Sequence, residues 1–391
     1  MKKVLMIGMY GVYNYGCEAI ARGCVEILKK KYEDVEIHYA TPNPEDDSIR
    51  LKDCTLIVTK RLFKTKNMSN LVRKIANLIG TDHPALIEDT SLFSGYDAVY
   101  SIGGDIYTVD KDGRAPLSFM RYANECMFSG IPYYMLCSSI GPFNDDKWLA
   151  SFIKPHMKKI TRIYARENNT INYLKSIGIE DNVSLLTDPA FFVEGPKKRA
   201  CDKWKLENVK RIGINLSPLS SLHYFKTIDE CLLEHISIIE SILKRNEQYT
   251  VSLIPHVYSS DINDDDFRYM AAIYNRLEKK YKDRIVLENE DVGFIGRKSQ
   301  LINCDLVFAA RMHCAINAIC CGVRTIFLSY SQKSVGMSEL LYGTSKYAVP
   351  LNEFANIEDL FKLASTVPSA LKRIEAITDI SFEGDIPKVQ L

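Results

Sequence analysis

Short, continuous apolar runs alternate along the chain with longer stretches whose apolar residues recur every three or four positions. The first pattern reads as a β-strand buried on both faces and the second as an amphipathic helix. Their alternation predicts parallel strands covered by helices. Residues 4–8 form the first such strand, 18–32 the helix after it, and 35–40 a second strand closed by Thr41-Pro42-Asn43-Pro44. Strands follow at 97–102, stopped by Gly103-Gly104, at 132–140, ended by Gly141-Pro142, and at 163–165 and 184–186. Glu194-Gly195-Pro196-Lys197-Lys198-Arg199 breaks the periodicity with Gly and Pro and reads as a linker, its basic run suiting a solvated loop. Beyond it the pattern restarts. Strands are expected at 211–216, 250–254, 284–287, 305–310 and 325–328, helices at 229–245, 264–281 and 314–321, then helices and a tail.

Two successive arrays of this kind predict an α/β protein built from two Rossmann-like, doubly wound domains facing a central cleft. The expected divisions are 1–193, a linker at 194–203, and 204–391 with the C-terminal helices. A length of 391 residues agrees, being too great for one ordinary core. Ligands of such sheets bind at the carboxyl ends of the strands, so residues just after strands are the candidates for function.

Composition narrows the chemistry. Hydrophobic residues make up 46% and charged residues 25%, an ordinary globular mixture. A formal charge of +1 gives no whole-molecule field to hold nucleic acid or an anionic membrane, so a bound anion must be held by a local cluster of cations. Met1-Lys2-Lys3 leads straight into the first strand, too short for a signal core, so a cytoplasmic protein is expected. No apolar run approaches the roughly 20 residues needed to span a bilayer. The 11 cysteines are scattered without a C-x-x-C pair, which supports neither a zinc site nor a disulfide framework.

The first post-strand loop runs from Gly8 through Tyr10-Gly11 and Asn14-Tyr15-Gly16 to Glu18. Glycine there lets backbone N–H groups approach an anion, although the G-x-G-x-x-G dinucleotide spacing is missing. A plain tight turn is an equal reading, and Asn14, Tyr15 and Glu18 are candidate acceptor-binding residues, Asn14 as a group that orients a sugar hydroxyl. Gly103 and Gly104 allow close backbone approach. Asp105 after them could bond sugar hydroxyls, act as a base, or cap a turn. Arg166 follows a strand at the start of a helix, where the helix dipole disfavours a cation, and so suits a bound anion. Structural pairing with Glu167 or Asp188 is the alternative. In Asp305-Leu306-Val307-Phe308-Ala309-Ala310-Arg311-Met312-His313 an apolar strand runs directly into Arg and then His. A fixed guanidinium binds phosphate or carboxylate, and an imidazole gives or takes a proton near neutral pH. A helix-capping or core histidine is the alternative for His313, but beside Arg311 after a strand it is expected in catalysis together with Arg166, with Arg311 in donor binding. His256 occupies a similar place and could touch the acceptor. Lys333 and Ser334 could add phosphate contacts, a surface lysine being the bland reading.

These residues carry a family resemblance. Asn14-Tyr15-Gly16-Cys17-Glu18-Ala19, Ser101-Ile102-Gly103-Gly104-Asp105, Ser139-Ile140-Gly141-Pro142, Ala165-Arg166-Glu167, Thr187-Asp188-Pro189-Ala190 and Arg311-Met312-His313-Cys314-Ala315 are similar, in this order, to the motifs of the polysaccharide pyruvyl transferases. Asp105 stands where the family often has a third glycine and Cys17 where many members have Asp, departures expected to alter the acceptor pocket. The resemblance implies a GT-B-like fold, phosphoenolpyruvate as the donor, and a ketal product on a glycan or its polyprenyl-diphosphate-linked precursor. It implies no redox or metal cofactor, matches Arg166 and His313 to donor-binding and catalytic positions, and brings the enzyme to the inner membrane face if the acceptor is lipid-linked. Contact there could run through Lys60-Arg61-Leu62-Phe63-Lys64 and a helix at 71–79, although a plain solvated loop and an amphipathic core helix is the favoured reading. A glycosyltransferase of the same architecture is the runner-up. It would use a nucleotide sugar and want Glu288 or Glu290 for the ribose. A non-catalytic glycan-binding scaffold is third, and leaves the Arg-x-His pair unexplained.

Overall fold

A computed structural model describes residues 1–9, 11–59, 93–104, 106–108, 115–143, 153–198 and 204–389. The chain divides into two compact units. The first comprises Met1–Val12, Ile20–Phe192 and Asp379–Leu391, the second Tyr13–Ala19 and Val193–Thr378. The chain passes to the second unit at Val193. Two segments group otherwise than the sequence suggested. Tyr13–Ala19 groups with the second unit, because its groups bond to residues between 256 and 294. Asp379–Leu391 groups with the first, because Asp385 meets Lys31.

In the first unit, strands β1 (Lys2–Ile7), β2 (Val35–Ala40), β3 (Ile57–Thr59), β4 (Ala98–Ile102), β5 (Tyr133–Ser138), β6 (Arg162–Ala165) and β7 (Val183–Leu185) form one sheet in the order β3-β2-β1-β4-β5-β6-β7. Every pairing in it is parallel. Helices α1 (Tyr15–Lys31), α2 (Pro44–Arg50), α3 (Ala115–Phe128) and α4 (Asn168–Ser176) connect its strands. Strands β4 and β5 are buried at every position, which is why they read as unbroken apolar runs. Leu5, Val99, Met135 and Ile163 pack with Phe119, Met120 and Ala123 of α3 in one core.

The second unit repeats the plan. Strands β8 (Arg211–Asn215), β9 (Thr250–Leu253), β10 (Ile285–Leu287), β11 (Leu306–Ala309), β12 (Arg324–Ser329) and β13 (Ala348–Pro350) are all parallel, in the order β10-β9-β8-β11-β12-β13. Its helices are α5 (Pro218–Ser221), α6 (Ile228–Arg245), α7 (Asp266–Tyr281), α8 (Gly293–Leu301), α9 (Met312–Cys320), α10 (Gln332–Tyr342), α11 (Ile357–Ala364) and α12 (Leu371–Thr378). Thr227 starts α6 with a reciprocal capping box, its side chain on the Glu230 amide and the Glu230 carboxylate on its own. Ile214, Leu253, Phe308 and Leu328 pack with Ile239 and Leu243 of α6 in the second core.

Among the described residues the strands and helices expected from the pattern are present, with ends displaced by up to three residues. Helix α1 begins at Tyr15 instead of 18, so Gly16 and Glu18 lie in its first turn. The expected tail is an antiparallel hairpin, β14 (Ile380–Glu383) with β15 (Ile386–Val389). Among the described residues no helix is long and apolar enough to cross a membrane. The basic run at 60–64, the helix expected at 71–79 and Asp105 lie outside the described residues.

Candidate functional site

In the second unit β11 lies between β8 and β12, and the chain leaves its carboxyl end through Ala310 into Arg311, whose backbone is extended. Arg311 N donates to Asn215 Oδ1 at 2.8 Å, which ties this exit to the end of β8. The guanidinium is clamped by two acids. Nε and Nη2 donate to Asp266 Oδ1 at 3.0 and 2.9 Å, and Nη2 also donates to Asp264 Oδ1 at 2.7 Å. Asp266 is completely buried, and its other oxygen accepts from His256 N at 3.2 Å and Asn215 Nδ2 at 3.3 Å. Burial pushes the Asp266 carboxyl up, against the pull of Arg311 and of these other donors. Burial likewise opposes the charge on Arg311, but the Asp266 and Asp264 carboxylates outweigh it and raise its pKa. A guanidinium held by two carboxylates stays charged, so the pair is ionised, Asp266 serving as its counter-ion.

His313 lies in the first turn of α9, whose N-cap, Arg311, makes no side-chain cap bond. The opening amides of a helix carry the positive end of its dipole, an arrangement that suits an anion. The segment Tyr13–Ala19 belongs to the same unit. Asn14 forms an antiparallel bridge with Val257, and Tyr15 N donates to His256 O at 3.1 Å. The Tyr15 hydroxyl donates to Asp291 Oδ1 at 2.6 Å, and Phe294 N, at the start of α8, donates to Glu18 Oε2 at 2.8 Å. Burial and the Asp291 bond raise the Tyr15 pKa, which keeps the phenol protonated as a donor. Cys17, in the first turn of α1, is half-buried.

His256 is 1% exposed, and neither ring nitrogen has a hydrogen-bond partner among the described residues. The Tyr15 ring stands edge-on to it at 5.2 Å and the Phe294 ring at 5.9 Å. Burial, then the charges of Arg297, His313, Arg311 and Lys298, hold its pKa well below the usual histidine value, so the ring is neutral. Arg297 is fully buried and donates to the Glu288 and Glu290 carbonyls and to the Tyr258 hydroxyl. Lys333 and Ser334 lie in the first turn of α10, Ser334 buried and Lys333 half-buried.

Arg166 and the Gly103-Gly104 pair lie in the first unit. Arg166 directly follows β6 and is 1% exposed. It donates to Asp188 Oδ2 at 3.2 Å, Ser139 Oγ at 2.9 Å and Glu167 Oε2 at 3.1 Å. Both acidic pairings weighed against anion binding in the sequence are therefore present. A Cβ on Gly104 would come within 2.8 Å of Arg166 Nη1, so glycine lets the loop rest against the guanidinium. Gly103 has φ +139, a conformation side chains rarely adopt.

Of the sequence candidates, the structure gathers Asn14, Tyr15, Glu18, His256, Arg311 and His313 in the second unit. Arg166, Gly103 and Gly104 stand together in the first. Sequence reasoning missed Asn215, Asp264, Asp266, Asp291 and Arg297. The Asp264-Asp265-Asp266 run was the available signal, at the start of the helix expected over 264–281.

The family model for polysaccharide pyruvyl transferase matches residues 14–332. The amylovoran biosynthesis protein AmsJ of Erwinia amylovora is 24% identical over 370 residues, covering 87% of this chain and 86% of AmsJ. Among solved structures, the UDP-GlcNAc 2-epimerase of Neisseria meningitidis bound to UDP-GlcNAc superposes with a TM-score of 0.54 at 11% identity, covering 97% of this chain and 99% of that one. HepE of Anabaena in complex with UDP-glucose gives 0.55 at 14% identity, covering 96% and 94%. At these identities the structural matches show a shared GT-B-like fold.

Proposed function

The chain belongs to the polysaccharide pyruvyl transferase family, and from that premise we propose that it transfers the pyruvyl group of phosphoenolpyruvate onto two hydroxyls of a glycan sugar, forming a ketal. The observation that carries this reading is the pairing of Arg311 with His313 at the open first turn of α9. The bonds to Asp264 and Asp266 use Nε and Nη2 of Arg311, which leaves Nη1, among the described residues, for a ligand oxygen. In this reading the donor phosphate sits on the α9 amides and Arg311, with Lys333 and Ser334 as further contacts. We also propose Arg166 as a donor-binding cation.

The chemistry then follows. His313 gives a proton to the methylene carbon of phosphoenolpyruvate, and C2 becomes oxocarbenium-like. One sugar hydroxyl adds to C2. The bond from C2 to the phosphate oxygen breaks, and phosphate leaves with that hydroxyl's proton. A second hydroxyl closes the ring on C2, and its proton returns to His313. Nothing is oxidised or reduced. Charge developing on the departing phosphate is met by fixed donors, where electrostatic stabilisation is most effective. We place the reaction in the cytoplasm, at the inner membrane face if the acceptor is a lipid-linked precursor.

The test is phosphate release from phosphoenolpyruvate with galactosyl, glucosyl and N-acetylmannosaminyl acceptors, run beside His313→Ala. Acceptor-dependent release is expected, and the variant should lose about 100- to 10,000-fold in rate. Near-normal turnover by the variant would remove His313 from the mechanism. Turnover of a nucleotide sugar without phosphate release would replace the donor.

A further inference from the structure

Gly16 stands in the first turn of α1, where glycine holds a helix less well than alanine would. Its φ is not positive, so the backbone does not call for glycine there. Space does. A Cβ on Gly16 would lie 2.5 Å from His313 Nδ1 and 2.9 Å from His313 Cγ, with Asn14 Oδ1 at 3.1 Å, whereas ordinary contact begins at 3.4 Å. The imidazole therefore rests directly on the bare Cα of Gly16.

The support under that ring is fixed on several sides. Gly16 N donates to Asn14 Oδ1 at 2.8 Å, and Asn14 O accepts from Glu18 N at 3.0 Å, so Asn14 caps the helix and sets the height of the turn. Asn14 is bridged to Val257, Tyr15 is bonded to His256 O and Asp291, and Glu18 accepts from Phe294 N. On the other side Arg311 N is held by Asn215 Oδ1, which fixes the start of α9. All of these residues belong to one unit.

We propose that Gly16, with its height set by Asn14, is the seat of the His313 ring, and that the segment Tyr13–Ala19 positions this histidine for proton transfer instead of binding the acceptor. The proposal rests on the role given to His313 above. Gly16 and Asn14 are positioning residues: they act through His313. Any side chain at 16 drives the imidazole off its seat by about an ångström, and a misplacement of that size costs about 100-fold in rate.

Gly16→Ala should lower kcat about 100-fold and leave the KM for phosphoenolpyruvate within threefold (~3) of wild type, because the phosphate contacts remain. Placed on His313→Ala, the same substitution should cost nothing further, since its effect passes through the missing ring. With 13C-labelled histidine, the His313 ring resonance should shift in Gly16→Ala. Asn14→Ala adds no volume and should shift the same resonance in the same sense by less. Wild-type turnover with an unmoved resonance in Gly16→Ala would overturn the proposal, as would an undiminished loss in the His313→Ala background. If Gly16→Ala does not fold, an unmoved His313 resonance in Asn14→Ala overturns it. The resonance does not depend on the reaction, so a wild-type protein that releases no phosphate would sink the pyruvyl-transfer reading while the seat is still judged.

Discussion

Asp266 and Asp264 both bind Arg311, yet they are not equivalent. Asp266 is fully buried and receives Arg311, Asn215 and the His256 amide, whereas the Asp264 side chain is 25% exposed and hydrates when the bond is lost. Removing one partner of a buried ion pair costs about 3–5 kcal/mol, because the other charge is stranded. An exposed pair is worth about 0–1 kcal/mol. Asp266→Asn should therefore destabilise the protein by about 3 kcal/mol, read as a lower urea midpoint, and Asp264→Asn by less than about 1 kcal/mol. Equal costs would mean that burial does not separate the two acids. The post-strand rule pointed to Arg311, His313 and His256 because each lies a few residues beyond the end of an apolar strand. It could not find Asp266 or Asp291, whose roles come from contacts 45 and 276 residues away in sequence, with Arg311 and Tyr15.

At the scale of elements, the parallel strands were legible because burial on both faces leaves a continuous apolar signal, as in β4 and β5. The three-residue strands β3 and β13 were not legible. They are short, and their residues are exposed or half-buried. The start of α1 was missed because Tyr15 and Gly16 resemble a loop in isolation, and only Asn14, bonded to Gly16 N, makes them a first turn. The packing of α6 on α7 carries a pH dependence. His235 of α6 is 0% exposed and shares a 2.7 Å hydrogen bond with the Tyr269 hydroxyl of α7. Burial lowers its pKa from 6.5 to about 4. The unfolded chain takes up this proton first, so the contribution is complete above pH 6.5 and is lost as pH falls towards about 4. Buried His156 and His256 have the same sign. His235→Gln keeps a partner for Tyr269 without titrating. The acid-induced loss of stability should shrink by up to about 3 kcal/mol in urea titrations across this range, whereas an unchanged slope would show that His235 is not a proton sink.

At the scale of the whole molecule, the chain enters the second unit at Tyr13, returns at Ile20, leaves again at Val193 and comes back at Asp379. The last return ends at a charged anchor within the first unit. Lys31 Nζ lies 2.7 Å from Asp385 Oδ1, its side chain 4% exposed, and donates to the Tyr164 hydroxyl at 2.8 Å. The Tyr134 ring is 4.1 Å from it, with Tyr100 and Phe382 farther off at 5.5 and 5.7 Å. Tyr134 also donates to Asp385 Oδ1 at 3.0 Å, so the hairpin turn closes over the ammonium. Burial lowers the Lys31 pKa, a sign that desolvation strains the charge. The two ends of the pair then differ in consequence. Asp385→Ala strands a buried ammonium and should cost about 1–3 kcal/mol. Lys31→Met puts a thioether among the aromatic rings and leaves a carboxylate that water still reaches, so its cost should be under about 1 kcal/mol. Lys31→Met should also rescue most of the Asp385→Ala loss when the two are combined, as urea midpoints would show. Equal costs for the two single variants, or additive costs in the double, would mean that the hairpin is held by Phe382 and the backbone instead of by this charge.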